Sequence, residues 1–248
     1  MGYLRFAALG DSTTVGIGDP LPDGGWRGWA RLLTEGLRAH HEVSLCHLAV
    51  SGSTVADVRA RQLDAALAHR PDLASVVVGV NDTLRSTWCP QQVRADLMHI
   101  AGELRAVGAT LMTVSYHDHA EVVGLPRVVV RPLSQRIAVL NEIYDEVRAV
   151  HGGLHVDLRL RPEVHDRGSW SIDRFHPSER GHRALARAWA EQVRAAGIDV
   201  DLPDLEPCGG RAPSWRHDAA WIVGEGAPWL GRRARDLGPW ALRRAAAR

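Results

Sequence analysis

An α/β fold, with a five-stranded parallel sheet covered by helices on both faces, follows from three observations on this 248-residue sequence. Five short apolar runs alternate with stretches of helical apolar spacing, the pattern of repeated strand–helix units. The run Val76-Val77-Val78 is continuously apolar, as in a strand buried on both faces. Polar residues with chemical potential follow directly after apolar runs, at the carboxyl ends of strands where such sheets bind ligands.

Tyr3 to Leu9 is the first strand and runs straight into Gly10-Asp11-Ser12. Residues 13–27, rich in Gly, Pro and Asp, form a loop. Gly28 to Ala39 is helical, with Trp29, Leu32, Leu33 and Leu37 on one face. Val43 to Val50 is the second strand, and Val55 to Ala68 a single helix stopped by Pro71. Leu73 to Val80 is the third strand, Gln91 to Val107 a helix closed by Gly108, and Thr110 to Ser115 the fourth strand. Residues 116–132 are irregular, and such a long loop at a strand end suits a lid or pocket wall. Leu133 to Val150 is helical, Leu154 to Leu158 a short fifth strand, and Ser178 to Ala196 the last helix of the pattern. Residues 1–200 therefore form one domain. Beyond it, Pro203, Pro207, Gly209, Gly210 and Pro213 mark a linker into an extension ending at residue 248. The extension carries Trp215, Trp221, Trp229 and Trp240, with eight Arg against three acids from residue 211. We expect it to pack on the domain, Trp inward and Arg solvated; an interaction arm is the alternative.

Composition narrows the function. A hydrophobic fraction of 45% and net charge of +1 are ordinary for a globular chain and point to neither nucleic acid nor membrane. All 30 basic residues are Arg, so no single Arg signals phosphate binding. Cys46, Cys89 and Cys208 are too scattered for a disulfide framework or a metal pair. No run of about 18 apolar residues offers a membrane span. Ser12 comes too early to leave room for a signal peptide, so a cytoplasmic location is expected.

Four pieces carry chemistry: Gly10-Asp11-Ser12, Ser51-Gly52, Gly79-Val80-Asn81-Asp82 and Asp173-Arg174-Phe175-His176. Acyl transfer from an ester needs a hydroxyl nucleophile, a base to take its proton and a group to orient that base. Ser12 at the mouth of the sheet suits the first task, His176 at a helix entry the second, and Asp173, three residues earlier in a tight turn, the third. The reaction also needs donors facing the developing oxyanion. The backbone N–H groups of Ser12 and Gly52 and the side-chain amide of Asn81 are candidates, with glycine permitting close backbone approach. No Gly-x-Ser-x-Gly elbow surrounds any serine, which argues against an α/β-hydrolase.

With these residues in view, the chain resembles the SGNH hydrolases, the GDSL family of esterases and lipases. Their Ser, Gly, Asn and His match Ser12, Gly52, Asn81 and His176 in order, and the Asp three residues before the His matches Asp173. The resemblance covers roughly residues 4–197. It implies a flavodoxin-like three-layer α/β/α fold, a metal-free double displacement and the oxyanion donors just named. Two departures are small: the first block reads Gly-Asp-Ser-Thr, and His47 stands where Asn is common before the second block.

The resulting expectation is a serine hydrolase of O-acyl or O-acetyl esters working through an acyl-enzyme. The same acyl-enzyme could pass its acyl group to another acceptor, as an acyltransferase. A reading from another class, a flavodoxin-like phosphate or nucleotide-binding module, rests on the hydroxyl-rich loop Asp11 to Gly16. It leaves Asp173 and His176 without a role. No cofactor and no metal are expected; His117 and His119, two residues apart, make a poor metal pair alone. The partner is a small ester or acylated metabolite, without nucleic acid or stable membrane insertion; the oligomeric state is open. Asp11, Trp88 and His117 are candidate substrate contacts. Asp11 and Asp82 also suit a loop-holding role. Trp26 and Trp170 could join Trp88 in lining a pocket.

Overall fold

A computed structural model describes residues 2–119, 122 and 127–208 of the chain. Its sheet has five strands: β1 (Gly2–Gly10), β2 (His41–His47), β3 (Leu73–Val77), β4 (Thr110–Ser115) and β5 (Leu154–Asp157). All pairings are parallel, in the order β2-β1-β3-β4-β5. The burial follows from that order. Central β3 is buried throughout, whereas edge strands β2 and β5 each have one fully buried residue. The α/β class and the parallel five-stranded sheet expected from the sequence are what the structure shows.

Strand order also decides which face each helix covers. The path steps from β1 outward to β2, then reverses and runs through β3 and β4 to β5. Right-handed crossovers put the helices before and after that reversal on opposite faces. Accordingly α2 (Gly28–Arg38) packs on the last helix, α8 (Glu179–Ala195). On the other side α6 (Pro90–Ala106) packs against α3 (Val55–Arg61) and α7 (Arg127–His151). The expected face of α2, with Trp29, Leu32, Leu33 and Leu37, is buried. Trp29 sits 5.9 Å from Trp189 of α8 and 6.4 Å from Phe6 of β1, ring centre to ring centre. Large aromatic surfaces thus join the two helices to the sheet. The reversal between β1 and β3 is the topological switch point, where parallel sheets open a crevice beyond the strand ends.

Several elements differ from expectation. The expected helix from Val55 to Ala68 is two helices, α3 and α4 (Leu63–His69), broken at Gln62. The break serves a tertiary contact: the Gln62 amide accepts from Gly10 N–H at 2.9 Å and donates to the Gly10 carbonyl at 3.0 Å. Residues 12–15, expected within or beside a loop, form a one-turn helix α1 (Ser12–Val15), and α5 (Val80–Thr83) is another, beginning where the third strand was expected to end. The expected irregular stretch 116–132 is shorter, because α7 begins at Arg127 and carries Pro132 inside. Proline ordinarily removes one helical hydrogen bond and crowds the preceding turn, which is why the sequence pattern places the start beyond it.

Residues 201–208 run along α2 and α8. Asp201 N–H donates to the Gly36 carbonyl at 3.1 Å, and the Cys208 carbonyl accepts from Arg27 and Arg183. The Trp- and Arg-rich segment from residue 211 lies outside the described residues. Among the described residues no helix is long and apolar enough to cross a membrane.

Candidate active site

Ser12 is the first residue of α1, immediately after β1 ends. The turn between strand and helix is very tight. A side chain at Gly10 would place its Cβ 2.4 Å from the Val77 carbonyl, so only glycine fits. Asp11 caps α1 by accepting from Thr13 N–H at 3.1 Å. As the first helical residue, Ser12 has a backbone N–H with no carbonyl one turn earlier to bond.

The second half of the site comes from the loop before α8. Arg174 adopts a positive φ of 57°, and Arg174 N–H donates to the Ser171 carbonyl while Ser171 N–H donates to the His176 carbonyl. This loop folds Asp173 back onto His176. One carboxylate oxygen of Asp173, Oδ1, accepts from the Ser171 hydroxyl at 2.5 Å, Phe175 N–H at 2.9 Å and His176 N–H at 3.0 Å. The other, Oδ2, lies 2.5 Å from His176 Nδ1. His176 Nε2 lies 2.8 Å from Ser12 Oγ. The carboxylate can only accept, so Nδ1 carries the ring proton and donates to it, which leaves Nε2 as an acceptor facing the serine hydroxyl. Burial alone would raise the Asp173 pKa. Its hydrogen bond from the His176 ring, the charge of that ring, and the Ser171 and backbone donors outweigh burial and bring it down to about 2.

The remaining candidates converge on the same cavity, which holds about 560 Å³ and is lined by Ser12, Gly52, Asn81 and His176 among others. Gly52 has φ +80°, and a Cβ there would meet nothing within 4 Å. Its glycine is therefore needed for backbone conformation. Among the described residues its N–H has no acceptor, while its carbonyl accepts from Arg85 at 3.2 Å. Asn81 is the second residue of α5 and is buried. Its Nδ2 lies 3.3 Å from Asp11 Oδ2 and 3.2 Å from the Ser53 carbonyl. Those contacts orient the amide at the cavity wall. Burial raises Asp11 to about 6 and Asp82 to about 7; Asp82 accepts from Val55 N–H at 3.1 Å and so ties α5 to α3.

Of the three candidate substrate contacts, Asp11 and His117 line the cavity. Trp88 does not. It is half-buried and packs against the core, as a large indole in a loop next to a core readily does. The indole at the cavity is Trp170, held by its Nε1 donating to the Val164 carbonyl at 2.7 Å. Trp26 also lies outside the cavity lining and forms an isolated bridge with Pro20. His47 Nε2 bonds the Thr14 carbonyl at 2.9 Å, so the histidine joins β2 to α1, and burial lowers its pKa. His117 and His119 stack 4.2 Å apart, and no group of three metal-ligating side chains exists among the described residues.

Sequence reasoning missed the supports. Beyond Gln62, Asn141 of α7 accepts from Tyr116 N–H and donates to the Tyr116 carbonyl, both at 2.8 Å, fixing the end of β4. Arg136 donates to the Thr83 and Arg85 carbonyls at 2.7 and 2.8 Å, fixing the end of α5. Arg27 forms a fork with buried Asp19 and reaches Glu179 at 2.6 Å, joining the loop after α1 to the helix after His176. The only signal available was a polar residue at an apolar helix position, which is ambiguous without the fold.

The fold, with its cavity at the strand ends, has counterparts among known proteins. The sequence pattern of the GDSL-like lipase/acylhydrolase family matches residues 8–184. An acetylxylan esterase of Geobacillus stearothermophilus is 26% identical over 155 residues, covering 58% of this chain and 69% of that one. Among solved structures, TesA superimposes with a TM-score of 0.62 at 22% identity over 77% of this chain and 98% of its own. The acetylxylan esterase Axe2 of Geobacillus stearothermophilus does so with a TM-score of 0.61 at 19% identity, over 77% and 94%. Its structures include catalytic mutants at a serine, an aspartate and a histidine, the last two three positions apart. This chain belongs to the GDSL-like lipase/acylhydrolase family. It is a carboxylic ester hydrolase of the GDSL esterase type.

Proposed function

We propose that the protein hydrolyses esters through a covalent acyl-enzyme on Ser12, with His176 as general base and acid and Asp173 orienting it. The observation that carries this reading is the continuous relay of 2.8 Å from Ser12 Oγ to His176 Nε2 and 2.5 Å from His176 Nδ1 to Asp173. In the first half-reaction Ser12 Oγ bonds to the acyl carbon as its proton passes to His176 Nε2. The C–O bond to the alcohol then breaks, and the alcohol leaves with that proton. Water repeats the sequence in reverse, releasing the carboxylic acid and restoring Ser12. Asp173 stays ionised and stabilises the imidazolium formed in each half. The catalytic mutants of Axe2, at a serine and at an aspartate–histidine pair with the same spacing as Asp173 and His176, support these roles.

The N–H groups of Ser12 and Gly52 and the Asn81 amide would receive the oxyanion of each tetrahedral intermediate. Asn81 must lengthen its contacts to Asp11 and Ser53, already 3.3 and 3.2 Å, to do so. Asn81→Ala is expected to lower kcat about 10²–10³-fold with little change in KM, measured by steady-state ester hydrolysis. An unchanged kcat would remove Asn81 from the oxyanion site. The covalent step itself is tested by acid-quenching the enzyme with an activated ester within milliseconds and digesting it. An acyl mass on the peptide containing Ser12 supports the reading; quantitative turnover with no acylated peptide at any quench time counts against it.

A further inference from the structure

The cavity beside Ser12 is much larger than an acetyl group needs, and its lining is unusual. One wall is aliphatic, from Val77 and Val114 at strand ends and Leu185 and Ala188 of α8. The lining also carries His117, His119 and Ser169, only 4, 5 and 3% exposed. Among the described residues, both ring nitrogens of His117, Nδ1 of His119 and Oγ of Ser169 have no hydrogen-bond partner. Buried polar groups are nearly always paired, so four unpaired atoms on residues that line one cavity mark a place for a ligand's polar group. Burial drives His117 well below its usual pKa and His119 to about 4, so both rings are neutral and each can both donate and accept.

Three rings meet at this part of the lining, two imidazoles stacked on each other and the Trp170 indole tilted by 53° to His117. His117 stacks on His119 with centres 4.2 Å apart, and the Trp170 ring lies 4.7 Å from His117. Aromatic and imidazole faces favour a planar partner at such spacings. A purely alkyl chain would fill the apolar wall and leave the nitrogens desolvated without partners. An anionic tail would meet neutral imidazoles at this part of the lining, while the cations of the cavity, Arg161 and Arg85, are held by Glu191 at 2.8 Å and by the Gly52 carbonyl at 3.2 Å.

We propose that this cavity is the acyl subsite of the esterase and takes a hydroxyaryl acyl group, its ring against His117 and Trp170 and its hydroxyl bonded to His117. The proposal rests on Ser12 being the nucleophile, which places the acyl carbon at the cavity. Ser12 would form its ester with the hydroxyaryl acyl carbonyl, the alcohol leaving with the proton from His176, and water would release the hydroxyaryl acid.

The test uses the full chain and two esters, ethyl 3-(4-hydroxyphenyl)propanoate and ethyl 3-phenylpropanoate. Their saturated linkers insulate the carbonyl from ring electronics, so a rate difference reports recognition of the hydroxyl. We expect kcat/KM to favour the hydroxylated ester by about five- to tenfold, the scale of one net hydrogen bond. His117→Phe, which keeps a flat ring and removes both nitrogens, should bring the ratio close to one. A wild-type ratio at or below one overturns the proposal, as does a ratio unchanged in a folded His117→Phe. If that variant does not fold, 3-(4-hydroxyphenyl)propan-1-ol should inhibit wild-type hydrolysis of an acetyl ester several-fold better than 3-phenylpropan-1-ol; equal inhibition overturns the assignment. Ester turnover that persists in Ser12→Ala would instead refute the nucleophile. Ser12-dependent acetyl-ester turnover without a hydroxyl preference refutes only the subsite.

Discussion

Ser12→Ala is expected to lower kcat for ester hydrolysis by about 10⁶-fold, the scale seen when a serine nucleophile is removed from a working triad. The substitution deletes one oxygen whose hydrogen-bond partner is His176 Nε2, at 2.8 Å. The backbone of α1 is held independently by the Asp11 cap, and the strand end by Gln62 through both polar groups of Gly10. Folding should therefore be preserved, and circular dichroism with a thermal melt checks that. A residual acceleration over water of about 10³–10⁴-fold should remain, supplied by substrate binding and the oxyanion donors. Because Ser12 and His176 act in one step, His176→Ala should cost about as much, and the double variant little more than either alone. A Ser12→Ala enzyme within tenfold of wild type would contradict the assigned role.

Asp173→Asn has the second largest expected effect, a loss of about 10⁴-fold in kcat, and the local geometry explains why. At this position Oδ1 accepts three donors, from Ser171, Phe175 and His176. In the variant the amide oxygen must keep that place, because an NH₂ group cannot accept. The NH₂ group then faces His176 Nδ1 in place of Oδ2. Nδ1 becomes an acceptor, the proton moves to Nε2, and the ring presents a donor to Ser12 where a base is needed. Nitrogen NMR of His176 should show the tautomer reversed, together with the kinetic loss. Linkage gives a second readout. The folded carboxylate titrates at about 2, below the 3.8 of an unperturbed aspartate. A depressed folded pKa contributes stability fully present above about pH 4 and lost as pH falls through about 2. The stability gap between wild type and Asp173→Asn should thus narrow over that acidic window and stay constant at neutral pH. A gap that widens on acidification would contradict the hydrogen-bonded carboxylate.

The periodic parts of this fold were open to reading from sequence, and the non-periodic parts were not. Continuous apolar strands and the Trp29-Leu33-Leu37 helix face carry their own signal, because burial imposes a period. Three of the four motif blocks were readable because each follows an apolar strand run, and the fourth because it sits at the entry to the last helix. Gln62 shows the limit. Nothing local distinguishes it from a surface glutamine in a helix, yet it splits that helix in order to bond Gly10. Pro132 shows the converse: a local helix-breaking rule gave way to the helix that spans it. Asn141, Arg136 and the Arg27–Asp19–Glu179 network act between segments far apart in the chain, so no spacing in the sequence displays them. The cavity's wall belongs to the same class. Trp170 enters it and Trp88 does not, a difference set by how the turns after β5 stack rather than by either residue's neighbours.

The account stands on Ser12 being an activated nucleophile. The most direct measurement is intact-protein and peptide mass spectrometry after incubation with a fluorophosphonate, which phosphonylates a serine only when a neighbouring base activates it. The predicted result is a single adduct on Ser12 in the wild type, abolished in Ser12→Ala and strongly slowed in His176→Ala. Equal labelling of Ser12→Ala, or an adduct on any other residue with Ser12 unmodified, would contradict it.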